Sequence, residues 1–248
     1  MTAGHRVPVP AAGTCRVWWA GPQDVRPEHD ALLAGDDLAR RARLHLPADR
    51  LRLTAAWAVA RLVLGAAADV PPDLLEVDRT CPECGAQHGK PRLPAAPDLH
   101  FSLAHSGGCV VVAVAAGTPV GVDVESVGAL AEAELDALAD STLAGEERAA
   151  LDSCPHRARA FTTWWTRKES VLKATGDGLA VPLDELVLSP PCAPPRVLRW
   201  PAASRARALS MHVLHPPAAH VATLTVLGAG PCRVVEADAA PLLRSAPA

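Results

Sequence analysis

The fold turns on CVVVAVAAGTPVGVDVE, residues Cys109 to Glu125. Cys109–Ala115 is a continuous, largely β-branched apolar run, the composition of a strand buried on both faces. Gly117, Thr118 and Pro119 break the chain, and Val120–Val124 reads as a second strand. Upstream, Leu99–Leu103 alternates weakly as a strand, and AHSGG, Ala104 to Gly108, reads as a turn. Earlier still, Asp49–Leu64 (DRLRLTAAWAVARLVL) has apolar positions at helical spacing, with Gly65 where a helix end takes glycine. Beyond the quoted stretch, Ala129–Leu151 and His156–Thr175 read as helices, and Glu185–Leu188, Ala208–Leu214 and His220–Leu227 as strands. Proline-dense segments at Asp69–Pro97 and Pro190–Pro195 predict loops, and the residues from Val234 onward read as loosely ordered. Helix and strands therefore recur on either side of Gly117. That pattern predicts two α+β subdomains of similar size, 1–117 and 118–248.

The acids come next. In Gly121-Val-Asp-Val-Glu125 the carboxylates of Asp123 and Glu125 are two apart on a strand and share one face, while Val122 and Val124 point the other way into a core. Two such carboxylates repel unless a cation sits between them. A hard, oxygen-seeking ion such as Mg²⁺ suits them, its other ligands being waters and substrate phosphates. Taken alone, the pattern is equally that of a half-exposed strand with an acidic outer face, the commoner case.

The stretch WWTRKESVLKATGDGL, Trp164 to Leu179, whose first part closes the helix His156–Thr175 and whose glycines stop it, weighs on that choice. Trp165, Glu169 and Lys173 are four apart in turn and form one stripe. Lys168 lies one position off it, beside Trp164, Val171 and Leu172. Tryptophans seek burial, which places Glu169 and Lys173 in a cleft where each needs a ligand or the other. A third acid and a lysine added to Asp123 and Glu125 make a metal-and-phosphate site.

Together these residues carry a resemblance. Gly121-x-Asp-x-Glu125, followed after some forty residues by Trp165-x-x-Lys-Glu-Ser170 and Lys173, resembles the paired signature of the 4′-phosphopantetheinyl transferase superfamily, in its longer, surfactin-synthetase-activating (Sfp) type. His88-Gly-Lys-Pro91 and Phe101-Ser-Leu-Ala-His-Ser-Gly107 are similar to that family's G-K-P and F-N-x-S-H-S segments, in the same order. The helix Arg52–Arg61, with Arg40, Arg41 and Arg43 before it, resembles its coenzyme-binding region.

The resemblance implies a pseudo-dimer of two similar α+β subdomains with the active site at their interface. It also implies transfer of the 4′-phosphopantetheine arm of coenzyme A to a serine of an apo acyl or peptidyl carrier protein, releasing adenosine 3′,5′-bisphosphate. On that footing Asp123, Glu125 and Glu169 would bind Mg²⁺ on the coenzyme A pyrophosphate, and Glu169 would be the base for the carrier serine. Lys173 would hold the pyrophosphate, with Lys168 either orienting these groups or simply solvated. His105 and Ser106 would meet the 3′-phosphate end of the coenzyme, Lys90 and Pro91 the nucleotide pocket, and Arg40 and Arg52 its phosphates. Ala104 stands where the family usually has serine, and Asp37 falls near a basic position of some relatives; both bear on coenzyme A affinity.

Cys81-Pro-Glu-Cys84, with His88 after it, is half of a zinc ribbon. Cys109, Cys154, Cys192 and Cys232 are single and offer no second pair, and a redox C-x-x-C usually opens a helix after a strand. The segment is read as a metal-free loop leading into Lys90.

A net charge of −3 over 248 residues gives no basic field for nucleic acid. The start, MTAGHRVPVP, lacks a leader's apolar region, and runs such as Val110–Ala116 are too short to span a bilayer. Seven cysteines, an odd and scattered set, argue against a disulfide framework. The expectation is a cytoplasmic monomer with reduced thiols that touches neither membrane nor nucleic acid. Its rival is a catalytically silent relative that binds carrier protein or coenzyme A. Neither reading identifies the carrier or pathway served.

Overall fold

The computed structural model describes residues 7–178, 181–201, 207–217 and 219–245. The expected lack of a leader falls largely on 1–6, outside that range. In chain order the elements are β1 (Thr14–Ala20), α1 (Gly35–Ala42), α2 (Pro47–Ala68), β2 (Leu99–Ser106), β3 (Cys109–Ala116), β4 (Val120–Ser126), α3 (Glu132–Thr142) and α4 (Gly145–Asp152). They continue with α5 (Arg157–Thr175), β5 (Val187–Leu188), β6 (Val197–Arg199), β7 (Leu209–Val213), β8 (His220–Leu227), β9 (Arg233–Asp238) and α6 (Ala240–Ser245). The class is α+β.

The chain forms two compact units: the described residues up to Thr118 together with those from Cys232 on, and Pro119–Pro231. In the first, a four-stranded sheet runs β2-β3-β1-β9. Its centre is the β-branched run of β3, whose Val110 to Val114 are wholly buried. The stretch Thr54–Gly65 of α2 is buried against this sheet, with Trp57 packing edge-on to Phe101. By length and composition α2 is apolar enough to cross a membrane. Here its apolar side chains join the core of this unit.

Several expectations are corrected. The described residues from Val234 to Ser245 are ordered: β9 pairs in parallel with β1, Thr14 opposite Arg233 through Trp19 opposite Asp238, and α6 adds Leu242 and Leu243 to the core. The second subdomain accordingly ends at Pro231, since the tail belongs with the first unit. β1 itself was not anticipated. Gly65 lies inside α2, which runs on to Ala68 and ends with Asp69 in the left-handed region at φ 56°. The helix predicted over Ala129–Leu151 is two helices. Glu147 breaks it, because its Oε2 accepts the Ala144 N–H at 2.9 Å and starts α4 there.

The second unit holds an antiparallel sheet, β4-β8-β7, with α5 lying across β4 and β8. Trp164, Phe161, Leu135, Leu151 and Leu186 form its core with α3 and α4. Gly176, at φ 82°, stops α5.

Candidate active site

β4 and α5 approach so closely that residue 121 has no room for a side chain. A Cβ there would sit 2.1 Å from the Ser170 carbonyl oxygen and 2.2 Å from the Ala174 nitrogen. Gly121 faces α5 for this reason, and by strand alternation so do Asp123 and Glu125. Their neighbours on β8, Thr225 opposite Gly121 and Thr223 opposite Asp123, meet the small polar face of α5. Ser170 Oγ lies 2.8 Å from Thr225 Oγ1, and Thr166 Oγ1 lies 3.4 Å from Thr223 Oγ1. Val122 and Val124 are wholly buried on the opposite side of the strand.

This packing brings Asp123, Glu169 and Lys173 together. Lys173 Nζ donates to Asp123 Oδ1 at 2.6 Å. Asp123 is buried, and its second oxygen, Oδ2, has no hydrogen-bond partner among the described residues. Burial raises the Asp123 pKa, with Lys173 pulling it back. The half-buried Glu169 is also raised, first by burial and then by the Asp123 carboxylate, Lys173 again opposing. Glu125 shares the strand face and lines a cavity of about 150 Å³ with Ser126, Leu135, Phe161 and Trp165. The result is a patch of crowded acid oxygens with one ammonium among them and one buried oxygen unsatisfied. It can hold a hard cation and, through Lys173, an anionic oxygen.

Lys168 does not join this patch. It is 1% exposed and donates to Glu147 Oε2 at 2.5 Å and to the carbonyls of Thr142 and Leu183, each at 2.8 Å. All three protons of its ammonium are used, so the expected orienting role, like the solvated one, gives way to an internal clamp. Trp164 is likewise buried in the core of this unit, and Trp165 packs partly against the same cluster. A further residue went unnoticed in the sequence: Arg167, buried on α5, donates to the carbonyls of Ser189, Pro190, Pro191 and Ala193 and pins the proline-rich loop.

The other candidates lie in the first unit. His105 and Ser106 end β2 beside the two-residue turn Gly107-Gly108. Arg52 reaches this turn, donating to the Gly107 carbonyl at 3.1 Å while also pairing with Asp49. Lys90 lies close to His100, whose pKa is lowered by burial and then by that ammonium. Pro91 follows in the half-exposed segment leading to Arg92, and Arg40 Nη2 donates to the Gln87 carbonyl at 2.6 Å. Asp37 is no surface substitute for a basic residue. It is wholly buried between Arg79 at 2.7 Å and Arg61 at 3.4 Å. The Arg79 guanidinium also stacks 4.2 Å over the Trp57 ring.

Residues 119–225 match the family model described as the 4′-phosphopantetheinyl transferase superfamily. The chain is 32% identical over 187 residues to the 4′-phosphopantetheinyl transferase HetI of Nostoc sp., covering 73% of this chain and 75% of that protein. A putative 4′-phosphopantetheinyl transferase of Synechocystis sp. is 30% identical, with 68% of each covered. The 4′-phosphopantetheinyl transferase Sfp of Bacillus subtilis is 34% identical over 98 residues, 40% of this chain and 42% of that one. Among solved structures, holo-[acyl-carrier-protein] synthase of Thermotoga maritima superposes with a TM-score of 0.36 at 18% identity, over 44% of this chain and 62% of that one.

Proposed function

We infer the activity from one premise: the chain belongs to the 4′-phosphopantetheinyl transferase superfamily. It is a transferase that moves the 4′-phosphopantetheine arm of coenzyme A onto a carrier protein, leaving adenosine 3′,5′-bisphosphate. The observation that supports an active enzyme over a silent binder is the Asp123–Lys173 pair with the unsatisfied Oδ2 and a raised Glu169 beside it. A chain that only bound carrier protein has no use for two carboxylates crowded at this cost.

In the proposed site Asp123, Glu125 and Glu169 would hold Mg²⁺, which would supply positive charge against the coenzyme A pyrophosphate. Glu169 takes the proton of the carrier serine hydroxyl. The serine oxygen bonds to the phosphorus of the phosphopantetheine arm as the P–O bond to the adenosine 3′,5′-bisphosphate half breaks. Lys173 turns from Asp123 to the pyrophosphate and neutralises charge developing on the leaving phosphate. Arg40, Arg52, Lys90, Pro91, His105 and Ser106 are proposed to bind the nucleotide half of coenzyme A. The acids and the lysine come from one chain, which supports a monomer, and the cytoplasm is its proposed location.

The test is direct. Purified protein, coenzyme A, Mg²⁺ and an apo carrier are incubated, and the carrier is weighed intact. A gain of one phosphopantetheine mass that requires Mg²⁺ is the expected result. No gain on any of several acyl and peptidyl carriers would make the chain a silent binder.

A further inference from the structure

Between Asp78 and Arg92 the chain makes an excursion closed at its base by a two-way bridge: Asp78 N donates to Arg92 O, and Arg92 N to Asp78 O, both at 2.9 Å. Within it Cys81 N donates to Ala86 O at 2.8 Å, Gly85 N to Cys81 O at 2.9 Å and Gly89 N to Arg79 O at 2.7 Å. The closure leaves no space at residue 89, where a Cβ would lie 2.8 Å from the Thr80 oxygen and 3.0 Å from the Cys81 Cα. Cys84 Sγ lies 3.0 Å from His88 Nε2, and the ligand atoms of Cys81, Cys84 and His88 all lie within 4.8 Å of one another. No step of the proposed transfer uses them.

We propose that Cys81, Cys84 and His88 bind one zinc ion, with water as the fourth ligand. Tetrahedral zinc, with bonds of about 2.3 Å to sulfur and about 2.1 Å to nitrogen, sets its donors roughly 3.5–3.8 Å apart. The folded loop already holds these three donors within 4.8 Å of one another, so each reaches that spacing by a small side-chain rotation. Two thiolates and a neutral imidazole select zinc over the hard Mg²⁺, and the thiolates cancel its charge. The absence of a second C-x-x-C pair argued for a metal-free loop. His88, four residues after Cys84, removes that objection by supplying a third ligand, and the exposure of Cys84 and His88 leaves the fourth position to solvent. The ion staples the segment that runs directly into Lys90 and Pro91 and whose Gln87 carbonyl anchors Arg40. Its role is structural, and the inference stands whether or not the transfer reading does.

The full-length chain, purified without chelators or metal-affinity resin, is assayed by elemental analysis. About one zinc per chain is expected. After zinc is stripped and replaced by Co²⁺, the protein should show thiolate-to-cobalt charge-transfer absorption. Cys84→Ser with His88→Ala should lose both signals, whereas Asp123→Ala should keep them, separating this site from the acids on β4. Removing the zinc should also speed cleavage at Glu83 by a glutamate-specific protease. A native protein that carries no zinc and takes up no Co²⁺ overturns the proposal, as does a Cys81–Cys84 disulfide in freshly purified protein. Because the first two measurements use the native chain, misfolding of the variants cannot obscure the answer.

Discussion

Lys173 Nζ lies 2.6 Å from Asp123 Oδ1, and the other oxygen of that carboxylate is buried without a hydrogen-bond partner among the described residues. A buried acid with a single partly exposed counter-charge is under-neutralised, which is why burial outweighs Lys173 and raises its pKa.

This bears on how stability changes with pH. Asp123 and Glu169 both have pKa values raised in the folded chain, so the folded state binds their protons more tightly than the unfolded state. Their contribution is full below the unfolded values and is lost as pH rises through the folded ones. Metal-free protein should therefore melt at a lower temperature at about pH 7 than at about pH 5, by this contribution. Added Mg²⁺ should raise Tm more at the higher pH, because it binds the ionised carboxylates. An equal Mg²⁺ shift at both pH values, or none, would exclude these acids as ligands.

Asp123→Ala should abolish transfer at ordinary Mg²⁺ concentrations, since the remaining carboxylates cannot hold the ion against the pyrophosphate. The variant should fold, because Lys173 is 31% exposed and can turn to water once its partner is gone. Near-full turnover without extra Mg²⁺ would remove the β4 carboxylates from the ligand set.

Lys168→Met tests the opposite assignment. It strands Glu147, whose two oxygens also accept the backbone N–H groups of Ala144 and Leu188, so the carboxylate stays buried without its cation. Breaking one side of a buried pair costs about 3–5 kcal/mol. Unfolding in urea should show that loss, while the folded fraction, assayed in the cold, keeps its kcat. Unchanged stability with lost turnover would return Lys168 to the reacting groups.

Why Lys168 was misread shows which parts of the site were legible. Asp123 with Glu125, and Trp165 with Glu169 and Lys173, announce themselves through strand and helix periods, which are local. The partner of Lys168 is 21 residues away on another helix, and no period of α5 points to it. The burial of Asp37 between Arg61 and Arg79 was not legible for the same reason. The fold divides likewise. β3 and α2 are strong local patterns, whereas β1 and β9 are defined by each other, with Trp19 Nε1 donating to Glu236 across 217 residues. The helix break at Leu143–Ala144 depends on one carboxylate, Glu147, that also serves Lys168.

Gly121→Ala examines the contact that assembles the patch. Its Cβ would collide with helix backbone at Ser170 and Ala174, which cannot swing aside as a side chain can. Overpacking of this kind costs about 1–3 kcal/mol and occasionally more, and relief requires α5 to move off β4. Both Tm and turnover should fall, and Mg²⁺ should protect the variant less than the parent. A variant with parental Tm would mean that the approach of β4 to α5 is looser than the structure shows.

Glu169→Gln is the most informative single change. It keeps the side chain's size on α5 and removes both its charge and its basicity. Because Glu169 is held above its usual pKa by burial and by Asp123, the amide relieves repulsion, and Tm in the absence of metal should hold or rise. Coenzyme A binding should survive in weaker form, since Lys90, His105 and the arginines are untouched. Turnover at saturating coenzyme A should fall by about a hundredfold or more, the scale of a lost positioned base. In the parent enzyme, kcat should rise with pH as Glu169 loses its proton, and that limb of the profile should disappear in the variant. Should Glu169→Gln weaken only binding, leaving saturated turnover and its pH profile intact, Glu169 would be a metal or substrate ligand only, and the serine proton would leave by another route.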